Sequence, residues 1–473
     1  MKNTGNDPSV TSKEYDELME TLALPHALMC GTKAMREAGT QFLPQEKRET
    51  NEDYQAKLNR SFLFGGFERT VSILSGEVYD KSVTFQEETP EEVTALMDNI
   101  DLQNRNITRF SRSFFEWSII NGTGHILVDV QPLPKNDDGE EIRTTKAQDK
   151  DLGRRPYFVH VPASNMIGYK LDGNMELAQI RIRETVKEDD GEFNTKDVEQ
   201  IRVVSPGRWE VYRENRDKEW ELYDNGTTPL NKILLATLFT GKRASEFTAR
   251  PPLTGLAELN HQHWVSSSDQ NNILHTCRVP ILFGRMLDVD DNGKIIIAPN
   301  NLIHSNAPEG DLRFVEHAGQ AIGDGWKDLD RLESLMALWG LDLINNDRSG
   351  NITATEKALT GAKTGSFLNA TAMECQDVLN TAIGFMCEIL GIEFKGGAVV
   401  NTDFSLAMSS FDTNILLTAH RNGLLDRTTV IDELKRRGAI NENADPVEIA
   451  AAIQNESGSF SNLGRYLLTG TGL

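Results

Sequence analysis

QAIGDGWKDLDRLESLMALWGLDLINNDRSGNIT, residues 320–353, decides how this chain is read. Ile322, Trp326, Leu329, Leu332, Leu335, Met336 and Trp339 recur every three or four positions, with Lys327, Asp328, Arg331 and Glu333 set around them. That is the pattern of an amphipathic helix. Next comes Asn345-Asn346-Asp347-Arg348-Ser349-Gly350-Asn351, which has no apolar side chain and strong turn chemistry. Thr353 followed by Glu356 reads as a capping box. It opens a second helix to residue 390, about 57 Å long at ~1.5 Å per residue. Gly361 and Gly365 are expected to kink it. The stretch holds no nucleophile, metal cluster or phosphate loop. It reads as mechanical architecture.

Working outward, Pro251-Pro252 precedes a helix predicted over residues 253–276. A small β insert follows, with strands expected at 279–283, 294–298 and 312–316 and a hairpin turn at Asp290-Asp291-Asn292-Gly293. Helix, β insert, helix, polar loop and long helix is therefore the plan. The N-terminal third is helical: residues 12–39 carry Tyr15, Leu18, Met19 and Leu22 on one face, and a second helix runs from Asn51 through Phe62 and Leu63. Paired Gly65-Gly66 interrupt it, and a further break is expected near Gly76. A third helix spans 107–121, with Phe110, Phe114, Phe115 and Trp117 assigned to core. The pattern then alternates. Strands are predicted at 125–130, 156–161, 178–184, 198–204, 208–212 and 220–223, with a turn at Asp224-Asn225-Gly226. Residues 135–154 are mostly charged and read as a mobile loop. Helices are expected again around Ile415 to Ala419, 429–437 and 446–454, before a Gly/Ser-rich tail from Ser457. The fold class is α+β.

Composition sets the outer bounds. The chain has 473 residues, 38% hydrophobic and 25% charged, with 71 acidic against 49 basic side chains for a net charge of -22. Such a surface repels nucleic acid on average, so a polyanion meeting it should slide without sticking. There is no run of 18 apolar residues, and the first residues lack a signal-peptide pattern, so neither a membrane partner nor secretion is expected. Cys30, Cys277, Cys375 and Cys387 have no CxxC spacing and read as buried free thiols.

The motifs of common chemistries are missing or misplaced. Gly122-Thr123-Gly124 precedes a strand where a dinucleotide loop would follow one, and no Walker A sequence exists. His261 and His263 point about 200° apart on a regular helix and cannot share a metal. Asp288, Asp290 and Asp291 lack the glutamate of a calcium loop, since position 299 is Pro. His125 and His160 have no Ser or Cys at a recognisable spacing. Nor do basic and aromatic residues interleave as on a single-strand platform. No cofactor, metal or catalytic residue is expected.

The order of elements resembles the portal protein of tailed double-stranded DNA bacteriophages, in particular a portal family catalogued as a phage domain of unknown function. The carrying residues include Arg60-Ser61-Phe62-Leu63-Phe64-Gly65-Gly66-Phe67-Glu68-Arg69-Thr70, Leu74-Ser75-Gly76-Glu77-Val78, Asn121-Gly122 and His125-Ile126-Leu127-Val128-Asp129. Arg155-Pro156-Tyr157, residues 340–358, Asn401-Thr402-Asp403-Phe404, Gly423-Leu424 and Glu433-Leu434-Lys435-Arg436-Arg437-Gly438 complete the set, over roughly residues 50–455.

The resemblance implies N-terminal helices and a mixed α/β wing (1–252), a stem helix (253–277) and a small β-rich clip (278–318). A second stem helix (319–341), a tunnel loop (342–352), a long kinked wing helix (353–400) and a short helical crown with a tail (401–473) would follow. Asn345, Asn346, Asp347, Arg348, Ser349 and Asn351 would line the tunnel, Asp324, Lys327, Asp328 and Arg331 the stem channel. Asp288, Asp290, Asp291 and Lys294 would meet partners at the clip. The implied protein is a non-enzymatic homo-oligomer, a dodecameric ring at one capsid vertex of the virion, assembled in the host cytoplasm. Viral double-stranded DNA would pass through it, and its partners would be the terminase large subunit, a head-tail adaptor and the major capsid or scaffolding protein. The alternatives are another ring-forming head-tail adaptor or structural virion protein, or a hydrolase or nuclease built on His125, His160 and scattered carboxylates.

Overall fold

In the computed structural model the described residues are 7–136, 141–228, 230–277, 281–286, 308–315, 320–339, 354–402 and 429–430. Two compact units divide the chain, Met1–Asn351 with Ala370–Asn401, and Ile352–Asn369 with Thr402–Leu473. The N-terminal helices are α1 (Lys13–Met29), α2 (Gly31–Glu37), α3 (Asn51–Arg60), α4 (Gly66–Val78), the short α5 (Glu91–Thr94) and α6 (Ile107–Asn121). Strand β1 (Thr84–Phe85) lies between α4 and α5, and β2 (Thr123–Val130) follows α6. Then come α7 (Lys146–Asp151), β3 (Pro156–Pro162), β4 (Met166–Leu171), β5 (Leu177–Asp189), β6 (Thr195–Ser205), β7 (Arg208–Glu214), β8 (Trp220–Thr227), β9 (Leu235–Phe239), β10 (Lys242–Arg243) and β11 (Ala249–Arg250). The last described elements are α8 (Thr254–Cys277), β12 (Ile281–Arg285), β13 (Asp311–Val315), α9 (Gln320–Leu338), α10 (Ala354–Leu390) and β14 (Ala398–Val399). The chain is α+β.

The core of the larger unit is built on α6. Asn106 caps its start, accepting the Arg109 N–H at 2.9 Å, and Gly122 ends it in the left-handed region at φ 80. Phe110, Phe114, Phe115, Ile119 and Ile120 are all buried. The helix lies on the antiparallel sheet β3-β2-β9. Phe114 meets His160 edge-on at 5.4 Å and Phe110 meets Phe158 at 5.6 Å. The opposite face of that sheet puts Leu127 and Val161 against Met166, Ile180 and Ile182 of the five-stranded meander β4 to β8. Buried on both faces, β2 therefore reads as an almost continuous apolar run. Asp129, on the face toward the meander, pairs with Arg202 of β6 and accepts from the Tyr157 hydroxyl at 3.2 Å. Burial of that arginine is offset by Asp129 and Glu184, which hold its guanidinium charged.

The helices α1, α6, α8, α9 and α10 and most strands fall where the pattern put them, but several details differ. Helix α3 stops at Arg60, so Phe62 projects into solvent, 68% exposed. Helix α4 continues through Gly76, whose neighbourhood is open and imposes no break. Asp224-Asn225-Gly226 is strand, not turn: Gly226 faces Trp209 across the β7–β8 ladder, and a Cβ there would lie 2.6 Å from the indole. Residues 135–154 are tied down where described. Lys135 donates to Asp224 at 2.5 Å, α7 opens on a Thr145/Gln148 capping box, and Lys146 donates to the Leu390 carbonyl at 2.9 Å. The cysteines are free, yet Cys30 is exposed and Cys277 only half-buried, contrary to the expectation of four buried thiols. Trp117 is half-buried, edge-on to His26 at 5.7 Å. Helix α10 is continuous from Ala354 to Leu390, the span the pattern gave it. The expected strand 294–298 and the C-terminal helices lie outside the described residues, apart from helical 429–430. No helix among the described residues is long and apolar enough to cross a membrane.

His125 and His160 give the fold a pH dependence. Burial, reinforced by His160, pushes His125 down to about 3; burial, reinforced by Arg105, pushes His160 down to about 4. The unfolded chain, with histidines near 6.5, binds those protons first, so stability falls as pH drops from about 6.5 toward 4 and then 3. Urea unfolding from pH 7.5 to 4 should show the midpoint declining below pH 6.5. The decline should be shallower in His160→Phe than in the unmodified chain.

Candidate functional site

Helices α8 and α9, which flank the antiparallel β12–β13 pair in chain order, pack against each other; in that strand pair Ile281 is matched with Val315 and Arg285 with Asp311. The buried side of α8 is unusually polar: Asn260, His263, Ser268 and Gln270 accompany Leu256, Ala257 and Trp264. Polar groups in that position need partners. Asn260 supplies two, accepting from the Phe67 N–H at 2.8 Å and donating to the Phe64 carbonyl at 2.9 Å. It thus clamps the Phe64-Gly65-Gly66-Phe67 turn onto the helix. Ser268 meets Ser61 at 2.7 Å, and Gln270 donates to the Ile322 carbonyl of α9 at 2.9 Å.

The apolar stripe of α9 closes the seam with Leu329, Leu332, Met336 and Ala337 buried. Glycine sets the spacing at both ends. A Cβ on Gly325 would collide with the Gln270 amide, and one on Gly255 would lie 2.8 Å from the Trp339 ring. Trp339 thus reaches across to α8 while staying half exposed, and Trp326 is 48% exposed, so neither belongs to the core. His263 sits in the seam 3.6 Å from Glu333, its ring 5.0 Å from that of Phe64. Burial outweighs the pull of Glu333 and lowers its pKa, favouring the neutral ring. His261 points elsewhere, 2.9 Å from the Phe42 carbonyl, as expected of two histidines so spaced.

The four stem candidates form two ion pairs. Lys327 donates to Asp324 at 2.8 Å, and Arg331 to Asp328 at 2.8 Å, both at i,i+3. Asp324, Lys327 and Arg331 share the solvent face, whereas Asp328 leans toward α8 and accepts from Ser266 at 3.2 Å. The Asp324 hydrogen bond raises Lys327 above the usual ammonium range, and the Arg331 hydrogen bond lowers Asp328 below that of an ordinary carboxylate. Each cation is already satisfied within its own helix. The clip candidates Asp288, Asp290, Asp291 and Lys294, and the loop candidates Asn345, Asn346, Asp347, Arg348, Ser349 and Asn351, lie outside the described residues.

His125 and His160 occupy opposite faces of the β3-β2-β9 sheet and do not converge. His125 meets the Thr237 hydroxyl at 3.0 Å, and His160 meets Phe114. Among the described residues no group of three or more His, Cys, Asp or Glu side chains is placed to hold a metal. Sequence reasoning missed Asn260, Gln270, Gly255 and Gly325. Asn260 had a signal: an amide four residues from Leu256 and four from Trp264, on the apolar side of its helix.

A family described as Domain of unknown function (DUF4055) matches residues 252–390, the span from α8 through α10. No curated protein matches the sequence. Solved structures resemble the chain loosely. The neck of a native GTA particle computed with C12 symmetry aligns with a TM-score of 0.41 at 8% identity, over 78% of this chain and 89% of that one. The neck of an empty GTA particle computed with C6 symmetry gives 0.44 at 8% identity, over 79% and 90%. The virion of a native gene transfer agent (GTA) particle gives 0.40 at 9%, over 80% and 87%. Overlap this loose carries no function.

The Asn260 clamp can be weighed against the surface pairs. Asn260→Ala leaves the Phe67 N–H and Phe64 C=O without their buried partner, a loss of about 1–3 kcal/mol. In denaturant unfolding that variant should shift clearly, and hydrogen exchange should quicken at Phe67. Lys327→Ala should leave the midpoint where it was, because exposed i,i+3 pairs contribute little.

Proposed function

We propose that the chain is the portal of a tailed double-stranded DNA phage: a ring at one capsid vertex through which the genome enters and leaves. The observation that supports this best is the sequence of mechanical parts. A helix pair with a sterically tight seam brackets, in chain order, a small antiparallel strand pair, and a 37-residue helix follows the second member. In this reading α8 and α9 are the stem, β12 and β13 belong to the clip, and α10 crosses the wing. The N-terminal helices and both larger sheets are the wing that holds the stem in place.

The role requires no chemistry of its own. A separate terminase drives the DNA, and head-completion proteins replace that motor at the clip. The chain's task is to hold a bore open and offer phosphate few places to bind. A net charge of -22 per copy favours that, and so do stem lysine and arginine side chains already paired within α9. Residues 345–351 would stand nearest the DNA, and Asp288, Asp290, Asp291 and Lys294 would meet the adaptor.

Negative-stain microscopy of the full chain tests the assembly. Rings with a central hole, twelvefold by this reading, are the expected result, and monomers at every concentration would sink it. In the virus, deleting residues 345–349 should leave rings intact while packaging or retention of DNA falls. Normally filled capsids from that deletion would remove the loop from the proposed role.

A further inference from the structure

Strands β5 and β6 outrun their neighbours. Strand β4 pairs with β5 only as far as Ile182, and β7 pairs with β6 only from Gln200. The five pairs from Thr185↔Glu199 to Asp189↔Thr195 therefore form a two-stranded arm with no third strand beside it among the described residues. An isolated two-stranded ribbon is marginal in water and gains order by packing on something. At its tip Gly191 turns at φ 90 and Phe193 is 93% exposed. Residues 185–199 carry six acidic side chains and two basic ones. Glu188 is engaged by Arg213 and Lys196, whereas Asp189 and Glu192 have no ion-pair partner among the described residues.

The complementary surface lies on the small β10–β11 hairpin. Lys242 and Arg250 are directly opposite each other, both exposed. Like charges facing across a ladder repel. Neither side chain has a hydrogen-bond or ion-pair partner among the described residues, although acidic residues outnumber basic ones in this chain 71 to 49. Arg243 beside them is occupied, paired with Glu246 and held over the Phe239 ring at 5.1 Å. The backbone under the pair is fixed, because Gly241 donates to the Gly122 carbonyl at 3.1 Å and has no room for a Cβ against the Arg250 carbonyl. The result is a rigid platform with two uncompensated positive charges.

We propose that the β5–β6 arm of one copy docks on the Lys242/Arg250 platform of the next copy, and that this contact helps close the ring. The inference rests on the ring reading above. The occupant of the platform is a second copy of this chain rather than nucleic acid, because the arm offers both halves of what the platform lacks. It brings uncommitted carboxylates for the paired cations and an apolar ring to lie against their alkyl stems.

Charge reversal tests it on the full-length chain, read by negative-stain ring counts and native mass. The double variant Lys242→Glu/Arg250→Glu should cut the ring fraction at least tenfold, and so should Asp189→Lys/Asp190→Lys/Glu192→Lys on the arm. Combining the two sets should restore rings, which separates a broken contact from a broken fold. Rings surviving either reversal, or two losses that the combination fails to rescue, overturn the docking. A platform variant that forms normal rings but packages no DNA overturns it too, and assigns the cations to phosphate. An unmodified chain without rings overturns the ring reading itself.

Discussion

Position 122 admits only a hydrogen where other residues carry a side chain, and much of the larger unit is arranged around that fact. Gly122 ends α6 at φ 80, and a Cβ on it would lie 2.6 Å from the Ala249 carbonyl and 2.9 Å from the Pro251 nitrogen. Its own carbonyl accepts from Thr240 at 2.9 Å and Gly241 at 3.1 Å. One residue earlier, the Asn121 side chain meets His26 of α1 at 2.6 Å. Within a few ångströms, then, α6 stops, β2 starts, the β9–β10 connection is pinned and the chain entering α8 passes by. The left-handed turn gives the helix an end it could not otherwise have beside a packed strand.

That junction explains why the layers behave as one body. Helix α6 covers one face of the three-stranded sheet, and the meander covers the other. The meander is tied across by the Asp129–Arg202 pair, which leaves no slack for a register shift. Moving β2 by one residue would turn Asp129 toward the Phe110 and Phe158 side and strand the Arg202 guanidinium without its carboxylate. At the other end the same arrangement holds the start of α8 while Asn260 fixes the Phe64–Phe67 turn to that helix. The helix pair is thereby held at its base by contacts from the N-terminal helices as well as by its own seam.

Periodicity made the helices legible and apolar runs the central strands, since α6 buries one complete face and β2 both, and each writes that burial into its composition. The features that escaped are those set by a distant neighbour. Gly226 looks like a turn residue and is a strand residue that clears Trp209. Gly76 looks like a breaker and sits mid-helix with open space around it. The charged stretch after Pro134 looks mobile because its order comes from Asp224 and the Leu390 carbonyl, far along the chain. For the candidate site, the stripe of α9 was readable, but of the polar inner side of α8 only Asn260, set between Leu256 and Trp264, left a signal. Hydrogen-bonded amides leave no hydrophobic signature, and Gly325 gives no sign that Gln270 fills the space beside it.

Where the negative charge sits matters more for the proposed conduit than its total. On the exposed side of α9, Lys327 is compensated by Asp324 and Arg331 by Asp328, and Asp330 adds one further carboxylate, so both cations there are paired in a chain of net charge -22. If α9 faces the bore, a passing phosphate must displace a carboxylate before it can reach an ammonium or guanidinium. Both groups keep a partner three residues away on the same rigid helix, so each encounter exchanges one ion pair for another with little net gain. A strongly anionic bore would push DNA away from the wall, and unpaired cations would hold it. Paired charges do neither, so in the proposed conduit local compensation of the two cations adds to the overall negative charge in keeping friction low.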